Sequence, residues 1–462
     1  MKKLLFILAS VVLSALMLFA GCSLSGSDGI DGRDGKDGQN VTIEDIYNKY
    51  VSEHGDISFE DFLKEYLNYT NGELENATSL RTAINRSLMS GVTILTKFNS
   101  TQTSYKVYTG SGAILWMDKS AGDAFVVTNA HVIYDNSTYC PDIRLYLYGQ
   151  DTAGVNYLLS GVNDITGDEN YRIPAEIVGA SLNYDIALLK VTGSTVLKRS
   201  DAVAVSNKKD VAEALSDCFS KEESPIVGET VYTVGNASVE GMSASSGIIA
   251  KDSENIDISL SQSGSSSKYT YRVMRITAPI NHGNSGGALY NREGKIVGIV
   301  NAKEEGNEVD CMGYALPANS VRRIIRLMYD SYVSNGNKPV LSGSSKYGID
   351  KAFLNITTVV SDSYARLGED GLAVITELVK IQSVGDGPAQ GVLQAGDIFV
   401  SAKLTSADGK VKEDIKITRS FGLSDMLFSA RAGDTLTLVI ERDKTEKQVS
   451  VNFKSTNFKY YA

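Results

Sequence analysis

Hydrophobic residues change their spacing along this chain. Residues 42–67 carry a helical repeat, with Ile43, Ile46, Tyr47 and Tyr50 before a break at His54-Gly55-Asp56, then Phe59, Phe62, Leu63, Tyr66 and Leu67. Ser58 with Asp61 fits the cap of a second helix, and His54 reads as a helix-end residue. From about residue 88 the pattern shortens into β-branched runs between Gly, Ser, Asn and Asp: Gly91–Leu95, Gly112–Trp116, Ala124–Thr128, Ile186–Val191, Thr230–Gly235 and Ile296–Val300. Such runs predict an all-β barrel or sandwich. A helical repeat at Val321, Ile324, Ile325, Leu327 and Met328 follows, and the polar stretch Ser334 to Lys346 marks a boundary. The stretch from Lys251 to Lys268 is long, polar and serine-rich and lies between a strand and a later glycine-rich motif.

The first residues have a different logic. Lys2 and Lys3 precede an apolar run from Leu4 to Ala20, which reads as an export signal. Ala20-Gly21-Cys22 resembles the bacterial lipoprotein cleavage box, although Phe19 stands where that box prefers Leu. The resemblance implies a lipid on Cys22, anchoring the chain to the outer face of the bacterial cell membrane. Glycine then recurs at 26, 29, 32, 35 and 38, the collagen spacing. Five triplets without proline are too few to hold three chains by themselves, so a flexible tether and a trimerising element both stand.

Composition narrows the chemistry. A length of 462 residues allows about three domains. Lys plus Arg number 45 against 55 for Asp plus Glu, and a net charge of −10 argues against nucleic acid as a partner. Only His54, His131 and His282 supply imidazole, which leaves no multi-histidine metal cage; no metal or organic cofactor is expected. Apart from Cys22, the cysteines are Cys140, Cys218 and Cys311, an odd set for which one disulfide or three thiols are both open.

Three stretches carry catalytic character. Val126-Val127-Thr128-Asn129-Ala130-His131-Val132 is an apolar strand ending in histidine; Tyr184-Asp185-Ile186-Ala187-Leu188-Leu189-Lys190 opens a strand with an acid; Asn281-His282-Gly283-Asn284-Ser285-Gly286-Gly287 sets a serine among glycines. A serine hydroxyl needs a base to take its proton, and an imidazole near neutrality suits that task. A buried carboxylate fixes the imidazole tautomer, and glycines let backbone N–H groups face a developing oxyanion. Each stretch alone is commonly a turn or a structural residue. Together they follow the His, Asp, Ser chain order of chymotrypsin-class enzymes inside a region already read as all-β.

These motifs, with Gly110-Ser111-Gly112, Val227-Gly228-Glu229, Val234-Gly235-Asn236 and Gly313-Tyr314-Ala315-Leu316-Pro317, resemble an HtrA (DegP-like) serine protease from about residue 88 to the end. The resemblance implies a mainly β, chymotrypsin-like double β-barrel, with His131 as general base, Asp185 as its orienter and Ser285 as nucleophile. It places the oxyanion hole on the backbone of Gly283, Asn284 and Ser285, and a substrate pocket around Ile280, Asn281, Val300 and Asn301. No acid lies in Ala278-Pro279-Ile280, so a small aliphatic residue is expected ahead of the cleaved bond. His282 is expected to flank the oxyanion loop. Gly391 to Phe399, the helix-like Ser424–Ala430, Ala432-Gly433-Asp434 and the alternating Thr435–Glu441 resemble a PDZ domain (α+β), whose carboxylate loop would be Tyr347, Gly348 and Ile349. In that family the loop corresponding to 251–268 senses a ligand on the PDZ domain.

The expected organisation is a lipoprotein signal peptide over 1–21, a tether over 22–40, a small helical segment over 41–80, a protease domain over 81–335 and a PDZ-like domain over 336–462. The leading function is an exported endopeptidase acting on unfolded or damaged proteins, regulated by C-terminal peptides and commonly trimeric in the family. A non-catalytic chaperone or peptide-sensing adaptor using the same cleft and groove is the other class.

Overall fold

The computed structural model describes residues 43–55, 57–59, 62, 71–99, 105–135, 138–150, 172–262, 265–303, 312–342, 346–368 and 371–462. The signal segment, Cys22, the glycine triplets and Cys311 lie outside the described residues. The chain divides into two units, 1–71 and 72–462. In the first, helix α1 (Ile43–His54) ends before Gly55, and Phe62 is buried against Tyr47 and Tyr50 at ring-centroid distances of 5.3 and 5.4 Å. Most of the second helix expected there falls outside the described residues.

In the second unit, α2 (Asn71–Ser90) runs unbroken across the boundary expected at residue 80. Leu80, Ala83, Ile84 and Leu88 repeat at helical spacing and pack on the main core. Ser87 and Ser90 reach the Tyr232 and Tyr290 hydroxyls at 3.0 and 3.3 Å. The end of the expected helical segment is therefore part of the body that carries the site.

A first closed barrel joins β1 (Gly91–Asn99), β2 (Tyr105–Asp118), β3 (Asp123–Thr128), β4 (Asp142–Leu147), β5 (Ile173–Ser181) and β6 (Ile186–Val191) in the order β1-β2-β3-β6-β5-β4. Its core holds Val92, Ile94, Ile114, Val126, Leu145 and Leu189. A second closed barrel joins β7 (Thr230–Gly235), β8 (Ser243–Gln262), β9 (Ser265–Ile276), β10 (Ala288–Tyr290), β11 (Ile296–Lys303) and β12 (Gly313–Pro317) in the order β8-β9-β12-β11-β10-β7. Val231, Ile249, Met274, Ile276 and Leu289 fill it. Helix α3 (Ala318–Ser334) lays Val321, Ile324, Ile325, Leu327 and Met328 against the main core, the face its repeat predicts.

The expected loop over 251–268 is instead an antiparallel hairpin: β8 and β9 stay paired from Ile249↔Ile276 to Gln262↔Ser265. The reason lies in its alternation. Ile256, Ile258, Tyr269 and Tyr271 pack against the main core, while Asn255, Asp257, Lys268 and Thr270 alternate with them on the exposed face.

The C-terminal part begins with β13 (Ile349–Ala352) and builds a sheet from β14 (Ile356–Leu367), β15 (Ala373–Val384), β16 (Ile398–Thr405), β18 (Thr435–Arg442) and β19 (Thr445–Asn452), with β17 (Val411–Lys416) paired to β16. The short helix α4 (Gly422–Met426) covers its core, and β20 (Phe458–Tyr461) returns to pair with β13. Both Gly-Asp pairs are turn anchors. Asp397 accepts from Arg442 Nε and Nη2, each at 2.7 Å, and Asp434 accepts the Arg431 N–H at 2.8 Å.

Candidate active site

Three connections deliver the expected residues to the cleft between the barrels. Strand β3 ends at Thr128, and His131 opens the single turn that follows. The β5–β6 turn carries Asp185 with φ +52°, a left-handed conformation that Asp tolerates better than most residues. The β9–β10 connection carries Ser285.

Asp185 is completely buried, and its carboxylate is fully engaged. Oδ1 accepts the His131 backbone N–H at 2.8 Å, and Oδ2 accepts from His131 Nδ1 at 2.7 Å. Asn301 Nδ2 also donates to Oδ2, and Asn129 Nδ2 donates to the Asp185 carbonyl at 2.8 Å. With its Nδ1 proton on Asp185, neutral His131 leaves Nε2 as the bare, basic nitrogen. Burial alone would depress the imidazole pKa, but the charge of Asp185 and its hydrogen bond outweigh that and raise it above the ordinary value.

Ser285 stands on the same framework. Its Oγ donates to the Asn301 carbonyl at 3.2 Å, so Asn301 touches Ser285 through its backbone and Asp185 through its side chain. The preceding turn, Asn281 to Asn284, closes through Asn284 N–H to the Asn281 carbonyl at 3.1 Å, with Gly283 at φ +95°. Positive φ at the third turn position is the type II pattern, which favours glycine. A Cβ on Gly283 would also stand 2.2 Å from the Asn236 carbonyl oxygen.

The His282 carbonyl accepts the Ser238 N–H at 2.7 Å. In a trans peptide the next N–H points the opposite way, so Gly283 N–H faces away from Ser238. Among the described residues neither Gly283 N–H nor Ser285 N–H donates to another protein group. Asn284 N–H, expected beside them in the oxyanion hole, instead closes the turn.

Ser111 holds this loop to the first barrel. Its Oγ donates to the Gly283 carbonyl at 2.6 Å and accepts the Asn236 N–H at 2.8 Å, while its own N–H donates to the Ser285 carbonyl at 2.8 Å. In the sequence, Gly110-Ser111-Gly112 stands only among the stretches that carry the family resemblance.

The residues expected to form a pocket divide. Asn281 is exposed and Ile280 half-buried, beside the loop, and the His282 side chain is exposed on its flank. Val300 is completely buried, its N–H on the Gly287 carbonyl and its carbonyl on the Gly286 N–H. Asn301 is buried and turned to Asp185. Both therefore brace the site from behind rather than line a pocket. Tyr347 and Gly348 immediately precede β13, which Ile349 opens, and the Tyr347 ring packs on Tyr139, beside the first barrel's core, at 4.9 Å. Cys140 and Cys218 are buried free thiols; burial pushes Cys140 up to about 11 and Cys218 higher still, far from a reactive thiolate.

Comparison with known proteins agrees with this architecture. The family description of a trypsin-like peptidase domain matches residues 110–299. The serine protease Do-like HtrA of Lactococcus lactis subsp. lactis is 29% identical over 359 residues, covering 75% of this chain and 71% of that protein. The serine protease HtrA-like of Staphylococcus aureus strain MRSA252 is 26% identical over 356 residues, and the aligned part spans 37% of its length. Among solved structures, the HtrA-type protease AlgW with tripeptide shares 18% identity at a TM-score of 0.47, covering 83% of this chain and 97% of that one. The matched domain and these relatives make the chain similar to HtrA-type serine proteases and support a serine endopeptidase built on a trypsin-like peptidase domain.

Proposed function

We propose that His131, Asp185 and Ser285 form the catalytic triad and hydrolyse peptide bonds in unfolded or damaged proteins through an acyl-enzyme. The observation that carries this reading is the His131–Asp185 pair, 2.7 Å apart on a fully buried carboxylate, beside a serine loop with two unclaimed N–H groups. Ser285 Oγ leaves the Asn301 carbonyl by a χ1 rotation and gives its proton to His131 Nε2 as it attacks the substrate carbonyl carbon. Gly283 N–H and Ser285 N–H receive the oxyanion. His131 then protonates the departing amine, leaving acyl-Ser285. Water, deprotonated by His131, attacks the ester and releases the acid with Ser285 restored.

Casein hydrolysis by the full chain and by Ser285→Ala tests this. The variant is expected to lose at least about 10³ of the rate. Equal rates would reject the triad as the source of cleavage, and no cleavage by the full chain would leave a chaperone or peptide-sensing adaptor in its place.

The part over 336–462 is read as a PDZ-like module that takes an extended peptide by strand addition along β13, with Tyr347, Gly348 and Ile349 at its head. Its contacts with the β8–β9 hairpin support a regulatory role: Asp425 on α4 accepts from Arg272 on β9 at 2.5 Å and from Asn319 at 2.7 Å, and Arg419 pairs with Asp252 on β8. A lipid on Cys22 would hold the enzyme at the outer face of the membrane. Metabolic labelling with palmitate, abolished by Cys22→Ser, is the expected result.

A further inference from the structure

The edge of β13 is already occupied. Strand β20 runs antiparallel to it, pairing Tyr461 with Ile349, Tyr460 with Asp350, Lys459 with Lys351 and Phe458 with Ala352. This direction lays Tyr460 and Tyr461 against Gly348, antiparallel to β13 as an added strand would lie if β13 accepts one. Gly348 suits close approach: a Cβ there would stand 2.5 Å from the Tyr460 ring and 2.6 Å from the Tyr461 carbonyl oxygen. Tyr460 Oη donates to the Lys346 carbonyl at 2.6 Å and accepts the Ser342 N–H at 3.1 Å, fixing the strand at its other face.

The same segment reaches the turn that carries Asp185. The Ala462 oxygen accepts the Asn183 backbone N–H at 3.0 Å and Asn183 Nδ2 at 2.6 Å. Buried Ser181 Oγ stands 3.2 Å from the Tyr461 and Ala462 oxygens alike. The Tyr461 ring packs on Tyr184 at 5.5 Å, and Tyr184 packs edge-on to Phe428 beyond α4 at 4.9 Å. Residues 181 to 184 lead directly into Asp185, whose left-handed backbone needs support from its surroundings.

We infer that residues 458–462 are a built-in strand ligand of β13 that positions the Asp185 turn, so that the enzyme carries the peptide that orders its own site. This deepens, and rests on, the reading of β13 as a peptide-accepting edge. The role is positioning rather than catalytic, since the segment touches Asn183 and Ser181 and acts through Asp185.

The test uses the full chain, the chain lacking residues 458–462, and Tyr461→Ser in the full chain, with a synthetic peptide of residues 453–462 as probe. Steady-state cleavage of a chromogenic peptide separates kcat from KM, and fluorescence anisotropy follows probe binding. The deletion is expected to lower kcat about tenfold at nearly unchanged KM, and the probe to bind and restore it. Tyr461→Ser should lose kcat in the same sense and recover with excess probe, which keeps the inference testable if the deletion fails to fold. Unchanged kcat in Tyr461→Ser, or probe binding without recovery, overturns it. If an unrelated peptide activates the intact chain while the deletion leaves kcat unchanged, the inference fails and the peptide-accepting edge stands. If the folded deletion variant binds no probe, both fail.

Discussion

Asp185 gathers four hydrogen bonds, to His131 twice, to Asn301 and, through its carbonyl, to Asn129, and it is the residue on which the site's electrostatics turn. Asp185→Asn keeps the shape but removes the charge that orients and stabilises the imidazolium, and turnover is expected to fall by about 10⁴. The raised His131 pKa has a definite sign. The base must be neutral to act, so kcat/KM should rise with pH through a midpoint above about 6.5, the ordinary imidazole value. In Asp185→Asn the residual activity should show that limb shifted to lower pH, because only the depressing effect of burial remains. Ser111 was visible in the sequence only as a neighbour of glycines. Its hydroxyl joins the Gly283 carbonyl of the oxyanion loop to the Asn236 N–H just after β7, and Ser111→Ala should cost about 1–3 kcal/mol in urea unfolding along with a lower kcat.

At the scale of elements, the serine-rich stretch shows where pattern reading ran out. Its apolar residues are only Ile256, Ile258 and Leu260, alternating with Asp257 and Ser259 in a run too short to stand out among the serines and charges. Pairing across β8 and β9 supplies the order instead, and the hairpin then delivers Arg272 to α4. Both partners of the Arg272–Asp425 pair are mostly buried, so removing one strands the other. Asp425→Ala should destabilise by about 3–5 kcal/mol, measured by urea unfolding, whereas a paired Arg272→Met, Asp425→Leu exchange should recover most of that loss. Lys351 on β13 lies over the Phe428 ring at 3.9 Å, and burial lowers its pKa to about 8. Because the unfolded chain then binds more protons above that value, this group's contribution to stability should rise between pH 8 and 9.5. Urea midpoints of wild type and Lys351→Met compared across that range should diverge in the wild type's favour.

For the whole molecule, the 81–335 and 336–462 parts share ion pairs along one face: Arg323 with Glu413 at 2.6 Å, Arg431 with Asp330 at 3.1 Å, and Arg272 with Asp425. A chain ending at residue 335 would leave Arg323 and Arg272 without these partners, and would lack the strand that reaches Asn183. Its cleavage rate is expected to be low and unresponsive to peptide. Equal rates for the short and full chains, with and without peptide, would remove the C-terminal part from regulation. Sedimentation with and without residues 22–40 would show whether the glycine triplets contribute to any trimer, with an unchanged association state expected if they are only a tether.

What the sequence determined by itself is what short-range pattern can carry. Period-two and helical spacing marked the barrel strands and α3, glycines marked the turns, and three local motifs named His131, Asp185 and Ser285. Tertiary structure decided what depends on residues far apart in the chain. Asn301 meets Asp185 across 116 positions, Ser111 meets Gly283 across 172, and Asn183 meets Ala462 across 279. A side chain's partner is set by how strands register and barrels close, and neither polarity nor spacing along the chain records that. For that reason Asn301 passed for a pocket residue and Phe458–Ala462 gave no signal at all, until the fold brought each to Asp185 or to the turn before it.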